Sequence, residues 1–174
     1  MEKINVLIPE EEVDKKIREM AAEISKRYEG KTLHLICVLR GGAFFMCELA
    51  KRLTVPVTID FMSVSSYGDG TESSGQIKIV KDLDDSIEGR DVLVVEDIID
   101  SGRTLSKLME LLESRRPASL ALCTLLDKPE RRVVEVNVDY TGFQIPDLFV
   151  VGYGLDCAQK HRNYPYVGVV EIEA

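Results

Sequence analysis

The sequence is poor in the residues that build metal centres and disulfide frameworks. Its 174 residues include four cysteines and two histidines. No two cysteines form a C-x-x-C pair, and His34 and His161 lie far apart in the chain. Cys37 and Cys123 sit inside apolar runs. We therefore expect free thiols in a reducing compartment, rather than disulfides or a zinc site.

Long apolar runs and an excess of positive charge are also missing. No stretch of 18 apolar residues could cross a membrane, and "MEKINVLIPEEE" turns acidic before it could serve as a signal peptide. The net charge of −8 argues against nucleic-acid binding, which needs a basic face, but it allows a local basic pocket for a small phosphorylated ligand. We expect a cytoplasmic protein with neither membrane nor nucleic acid as partner.

Two common nucleotide-binding motifs are absent. The chain has no G-x-x-x-x-G-K-[ST] loop, and "GYGLDC" supplies only two of the three Rossmann glycines, in the wrong context. Any phosphate site in this protein must therefore be built differently.

The hydrophobic pattern that is present predicts one α/β domain over residues 1–174. Apolar residues at helical spacing indicate a helix that begins at Pro9 and is stopped by Gly30. Two further helices are predicted at about 43–53 and in "TLSKLMELLESRRP", the latter ended by Pro117. The predicted strands are "TLHLICVL", "VTIDFMSV", "QIKIVKDL", "DVLVVED", "SLALCTLLD", "LFVVGYG" and "YVGVVEI". Strands alternating with helices favour a mainly parallel sheet, with ligands at its carboxyl edge.

The stretch "VLVVEDIIDSGRTL" brings a buried strand directly to such a site. Glu96 and Asp97 follow the apolar run, and their oxygens suit hydroxyl groups or a divalent metal. The turn "DSGRT" can hold a phosphate through backbone N–H groups and the Ser101 and Thr104 hydroxyls. Together they fit a ribose 5-phosphate. The alternative is that the carboxylates face solvent and Asp100 caps the following helix.

The same stretch closely resembles the phosphoribosyl-pyrophosphate (PRPP) signature of type I phosphoribosyltransferases, the hypoxanthine-guanine branch in particular. The resemblance extends from "LHLICVLRGG" to "YVGVVE". It implies a mainly parallel central sheet flanked by helices, with a small hood region built from the chain ends. It also implies transfer of the phosphoribosyl group from PRPP to a 6-oxopurine, with Mg²⁺ as cofactor. The short amino-terminal extension suits the compact bacterial form.

The resemblance implies roles for the residues of this stretch. Glu96 and Asp97 would hold the ribose hydroxyls, directly or through Mg²⁺. Asp100 would be the general acid/base at purine N7. The segment that binds PRPP and its 5-phosphate would be Asp97, Ile98, Asp100, Ser101, Gly102, Arg103 and Thr104.

Four other pieces carry the remaining implied roles. "LRGG" matches the pyrophosphate loop, where the family commonly has a cis peptide between residues corresponding to Leu39 and Arg40. Ser66 and Tyr67 match the start of a mobile catalytic loop, "SSYGDGTESSG". The implied pyrophosphate ligands are Arg40, Gly41, Gly42 and Arg162. The implied purine-site residues are Lys128, Phe149, Val150 and Asp156, and Asp156 would also be a Mg²⁺ ligand. Without the resemblance, Phe149 reads as a core residue and Lys128 as a solvated one.

Two alternative functions compete with this interpretation. Type I folds also occur in RNA-binding attenuators and purine-sensing repressors, but the negative charge and the length disfavour these regulators. An enzyme using adenine, xanthine or uracil is the other alternative. Lys128 disfavours adenine but does not separate hypoxanthine, guanine and xanthine. The resemblance further implies a homodimer or homotetramer.

Overall fold

The computed structural model describes residues 2–67 and 76–172. These residues form nine strands and three α-helices arranged around two sheets. None of the helices in the described ranges is long and apolar enough to cross a membrane.

The larger sheet has six strands, and five of them are parallel. The parallel strands are β2 (Leu33–Val38), β3 (Val57–Ser66), β5 (Asp91–Ile99), β6 (Ser119–Asp127) and β7 (Tyr140–Gln144). β4 (Ile77–Lys81) runs antiparallel to β3 at one edge. The spatial order is β4-β3-β2-β5-β6-β7, so β2 and β5 occupy the centre.

Helices cover both faces of this sheet, as the near-continuous apolar runs of its central strands predict. α1 (Glu10–Arg27) and α2 (Ala43–Arg52) pack on the face that carries Leu35 and Val95. α3 (Arg103–Ser114) packs on the opposite face, against Ile36 and Val94. Successive strand residues thus enter opposite cores, the two-residue period of a strand buried on both sides.

The smaller sheet is antiparallel and joins the two ends of the chain. It consists of β1 (Glu2–Ile8), β9 (Val167–Ile172) and β8 (Val150–Val151), in that order. The expected hood built from the chain ends is this sheet.

The structure corrects the predicted elements in four places. Two strands were not predicted, β1 and β7. The predicted strand "LFVVGYG" shortens to two residues because Gly152 and Gly154 turn the chain at φ 90° and 98°. α3 ends at Ser114 rather than at Pro117, because Arg116 already has a left-handed φ of 59°.

Candidate active site

The carboxyl edge of the main sheet gathers most of the predicted site residues. The last four residues of β5 are Glu96, Asp97, Ile98 and Ile99, and the turn that starts α3 follows them. On one side, β2 leads into the loop 39–42. On the other side, β6 ends at Asp127, directly before Lys128. Parallel pairing puts these three strand ends at one edge, so the loops that follow them surround one site.

Glu96 and Asp97 form a half-buried carboxylate pair at the centre of this edge. Burial and the neighbouring Asp97 carboxylate hold the pKa of Glu96 well above its usual range. Burial also raises the pKa of Asp97, against the opposing effect of the hydrogen bond (2.7 Å) that its Oδ1 accepts from the Ile98 N–H. Adjacent carboxylates whose charged forms are disfavoured would gain from a cation or from hydroxyl donors.

The turn from 100 to 103 has the features of an anion site. Gly102 has a left-handed φ of 82°, and a Cβ on it would lie 2.6 Å from the Val134 carbonyl oxygen, so only glycine fits there. The Ser101 carbonyl accepts hydrogen bonds from the N–H groups of Val133 (2.9 Å) and Val134 (3.1 Å), which hold the turn in place. The first turn of α3 has no acidic residue, so its positive end is not offset locally.

Asp100 does not cap the helix. The N-cap residue of α3 is Gly102, and no side chain caps the helix. The Asp100 carboxylate instead lies 3.6 Å from Lys128 Nζ, while its backbone carbonyl accepts a hydrogen bond from Arg132 Nε. The interpretation of Asp100 as a helix cap is therefore wrong.

The loop after β2 lies against the segment that follows β8. The expected cis peptide between Leu39 and Arg40 is present. A Cβ on Gly41 would overlap the Asp97 carboxylate, and one on Gly154 would overlap the Gly41 carbonyl. The Gly42 N–H donates to the Val38 carbonyl (3.1 Å) as α2 begins. These close approaches place the loop against the Asp97 carboxylate.

Arg40 and Arg162 meet at this junction. Both guanidinium groups donate to the side-chain oxygen of Gln159, at 3.1 Å from Arg40 and 3.0 Å from Arg162. Arg162 also donates to the Gly154 carbonyl (2.7 Å) and lies 3.3 Å from the Asp156 carboxylate. The predicted pyrophosphate ligands from two distant parts of the chain are thus brought together.

A cleft of about 340 Å³ lies beside the carboxylate pair, within the size range of small-molecule sites. Lys128 is buried except for 8% of its surface, with Nζ between the carboxylates of Asp100 (3.6 Å) and Asp147 (3.7 Å). Phe149 is 56% exposed at the cleft, unlike a core residue. The residues that line the cleft are Ile98, Asp100, Lys128, Arg131, Asp147, Phe149, Val150, Leu155 and Asp156.

The described residues contain no group of three or more His, Cys, Asp or Glu side chains that could hold a metal ion. Glu96, Asp97 and Asp156 therefore do not form one closed metal site. Mg²⁺ in phosphate sites is typically bound by one or two carboxylates together with waters and substrate oxygens, and the Glu96–Asp97 pair fits that pattern.

Among the predicted site residues, the structure says least about the roles of Ser66 and Tyr67. Ser66 is the last residue of β3, and Tyr67 is 52% exposed, with its N–H donating to the Gln76 carbonyl (3.0 Å). The rest of the predicted catalytic loop, 68–75, lies outside the described residues. Its role stays a prediction.

A sequence model of the phosphoribosyl transferase domain matches residues 9–158, most of the chain and all of the carboxyl-edge turn. The chain belongs to the phosphoribosyltransferase family.

Individual relatives agree with this assignment to the phosphoribosyltransferases. The chain is 52% identical over 166 residues to the hypoxanthine-guanine phosphoribosyltransferase of Bacillus subtilis, covering 95% of this chain and 92% of the relative. It is 55% identical over 168 residues to the bifunctional protein TilS/HprT of Listeria monocytogenes. That match covers 97% of this chain but spans only 26% of the Listeria protein.

The fold agrees as well. A crystal structure of a hypoxanthine phosphoribosyltransferase from Staphylococcus aureus superposes with a TM-score of 0.93 at 48% identity, covering 96% of this chain and 91% of the other. The predicted α/β fold with a mainly parallel sheet is confirmed.

The sequence interpretation missed three residues of this phosphoribosyltransferase site. Asp147 contacts Lys128, and Arg131 lies 3.5 Å from the same carboxylate. Gln159 bridges the two arginines. In the sequence, Asp147 is marked only by its position just before "LFVV", and Gln159 only by its position between Asp156 and Arg162. Neither position predicts the contacts with Lys128 and Arg40, because those residues lie in distant segments of the chain.

Proposed function

We propose that this protein transfers the 5-phosphoribosyl group from PRPP to hypoxanthine or guanine, releasing IMP or GMP and pyrophosphate. The cleft is the observation that carries the proposal. In it, a nearly buried lysine, a carboxylate 3.6 Å away and an exposed phenylalanine line the space next to the turn that starts α3. This combination suits a flat base with an oxo group, joined to a phosphorylated sugar.

The base would lie against Phe149, with its 6-oxo group accepting a hydrogen bond from Lys128. A lysine ammonium can only donate, so it matches an oxo group and disfavours the amino group of adenine. The backbone of the buried Val150 would contact the base edge. Specificity of this kind is strong, because a base without the oxo group gives the N–H groups of the nearly buried lysine no acceptor on the ligand.

The sugar and its 5-phosphate would occupy the turn and the carboxylate pair. Residues 101–104 would bind the phosphate through backbone N–H groups and hydroxyls at the start of α3. Glu96 and Asp97 would hold the ribose hydroxyls and place negative charge near the ring carbon from which pyrophosphate leaves. Because they are mounted on a central strand, they are held rigidly.

The leaving group would be bound from the other side. Arg40, Arg162 and the backbone of Gly41 would stabilise the negative charge that develops on pyrophosphate as its bond to the ribose breaks. Gly42 would serve through its close packing, because its N–H is already bonded to Val38. Mg²⁺ would supply further charge neutralisation, bound through substrate oxygens near Glu96, Asp97 and Asp156.

Asp100 would manage the proton of the purine imidazole. We assign it as the general acid/base at N7 while N9 attacks the ribose, since it lines the cleft and lies beside Lys128. Ser66 and Tyr67 would open a loop that covers the reacting groups and excludes water.

We further propose a single domain over residues 1–174, a cytoplasmic location and assembly as a homodimer or homotetramer. These proposals rest on the likeness to the relatives and on the composition, and gel filtration with light scattering would test the assembly.

Initial rates with PRPP, Mg²⁺ and each of five nucleobases would test the activity. Hypoxanthine and guanine should be converted, while adenine and uracil should be essentially inert. The rate with xanthine would show whether the 6-oxo group alone is sufficient for turnover. Efficient use of adenine or uracil would contradict the role of Lys128. Binding of nucleotides without turnover of any base would instead indicate a regulator.

A further inference from the structure

Gln159 occupies a position between the two arginines at the pyrophosphate side of the site. Its side-chain oxygen accepts hydrogen bonds from Arg40 (3.1 Å) and Arg162 (3.0 Å), which belong to segments 122 positions apart in the chain. One neutral oxygen therefore fixes the separation of two like charges that would otherwise repel each other.

The backbone of Gln159 is itself held in an unusual conformation. Its φ is 68°, in the left-handed region that non-glycine residues rarely adopt. The Gln159 N–H donates to Asp156 Oδ2 (2.8 Å), which fixes that conformation. Gln159 thus links Asp156, Arg40 and Arg162.

The two arginines depend on Gln159 unequally. Arg162 is also held by the Gly154 carbonyl and the Asp156 carboxylate. Within residues 2–67 and 76–172, the hydrogen bond to Gln159 is the only hydrogen bond or ion pair that the Arg40 side chain makes. A long side chain of this kind loses much rotational freedom when a ligand immobilises it, and that loss weakens binding.

We propose that Gln159 is a positioning residue that orders Arg40 beside Arg162 for binding the pyrophosphate group. Being neutral, its amide orders the arginines without cancelling their positive charge. This assignment rests on the proposed function, in which those arginines face the pyrophosphate of PRPP. It predicts an effect on ligands that carry pyrophosphate and none on ligands that lack it.

The test substitutes Gln159→Met, which keeps the length and removes the strong acceptor, and Gln144→Met, the same change at an exposed residue of β7. Calorimetry would measure the Kd of Mg²⁺-pyrophosphate, Mg²⁺-PRPP and IMP, and steady-state rates would give KM and kcat. Gln159→Met should weaken both pyrophosphate ligands by about 2- to 10-fold, the range expected when one flexible side chain is no longer ordered beforehand. IMP affinity, and kcat at saturating PRPP, should stay near wild type.

Gln159→Glu provides the rescue. It restores an acceptor oxygen but adds a negative charge, so its affinity for pyrophosphate should fall between those of the wild type and Gln159→Met. Gln144→Met should match the wild type in every measurement.

Three outcomes would overturn the assignment. Unchanged pyrophosphate binding in Gln159→Met would show that the bridge does not position Arg40. Equal weakening of IMP and pyrophosphate, with a lower Tm, would show a general structural role instead. Wild-type protein that bound neither PRPP nor pyrophosphate would overturn the proposed function first, and this assignment with it.

Discussion

The two edges of the parallel sheet use polar residues in opposite ways. At the amino edge, Asp91 Oδ1 accepts a hydrogen bond from the Ser119 hydroxyl (2.6 Å), and His34 Nδ1 lies 2.6 Å from the Thr58 hydroxyl. In the same half of β3, the buried Asp60 accepts hydrogen bonds from two backbone N–H groups of the 84–85 turn. Polar groups there are chiefly partnered within the protein. Among the described residues, His34 Nε2 is the one buried side-chain nitrogen or oxygen without a partner.

At the carboxyl edge, charges of like sign are also brought close together, next to the ion pairs of Lys128 and Arg162. Glu96 lies beside Asp97, and Arg40 lies beside Arg162, with only a neutral amide between the two cations. Such pairs do not stabilise a folded chain by themselves. We infer that the polar residues of the amino edge serve stability, whereas those of the carboxyl edge are arranged to bind ligand groups of both charges.

Removing divalent metal should cause the largest loss of activity, and it should affect only the carboxyl edge. EDTA should abolish phosphoribosyl transfer, because the proposed Mg²⁺ would no longer neutralise the negative charge that pyrophosphate gains as it leaves. Excess Mg²⁺ should restore the rate, and the Tm of the free protein in EDTA should be unchanged. Full activity in EDTA would contradict the metal roles of Glu96, Asp97 and Asp156.

At the other edge, Asp60→Ala should affect stability alone. The backbone N–H groups of Asp84 and Asp85 would lose their acceptor, and each such hydrogen bond typically contributes about 0.5–1.5 kcal/mol to stability. Urea denaturation would measure the change, while kcat should stay normal. Asp84→Ala is the matched control, because the exposed side chain is lost but the N–H remains. A large drop in kcat for a folded Asp60→Ala protein would contradict the separate roles assigned to the two edges.

A smaller effect is expected from Glu96→Gln in the free protein. The pKa of Glu96 is raised in the folded protein. Glu96 therefore contributes most to stability when the pH is below its ordinary pKa of 4.5, and this contribution is lost as the pH rises through the pKa of the folded state. The variant should therefore be more stable than wild type at pH 7–8, by about 2–4 °C in Tm if the gain is about 1 kcal/mol. The difference should vanish as the pH approaches 4.5. Thermal scans across pH would reveal a constant difference if the raised pKa were wrong.

How much the sequence predicts differs between local and distant features. The central strands and all three helices could be predicted because their hydrophobic periods are strong and local. β1 was missed because only one of its seven residues is buried and its partner, β9, lies at the other end of the chain. β7 was missed because it is short and contains Gly142, which packs against the Leu125 carbonyl.

The same distinction holds for the candidate site. The turn 100–104 lies in one continuous stretch and could be recognised from sequence. The contact of Lys128 with Asp147 and the Gln159 bridge depend on how loops from different strands meet, which no local pattern contains.

The most direct test of phosphoribosyl transfer at the carboxyl edge is the turnover of Asp100→Asn. The side chain of Asp100 is 49% exposed, so losing its ion pair with Lys128 should change stability little. Asparagine keeps the size but cannot exchange a proton, so kcat should fall by about 10²- to 10⁴-fold, while PRPP affinity stays near wild type because residues 101–104 hold the phosphate. A folded, PRPP-binding variant with near-normal kcat would contradict the account.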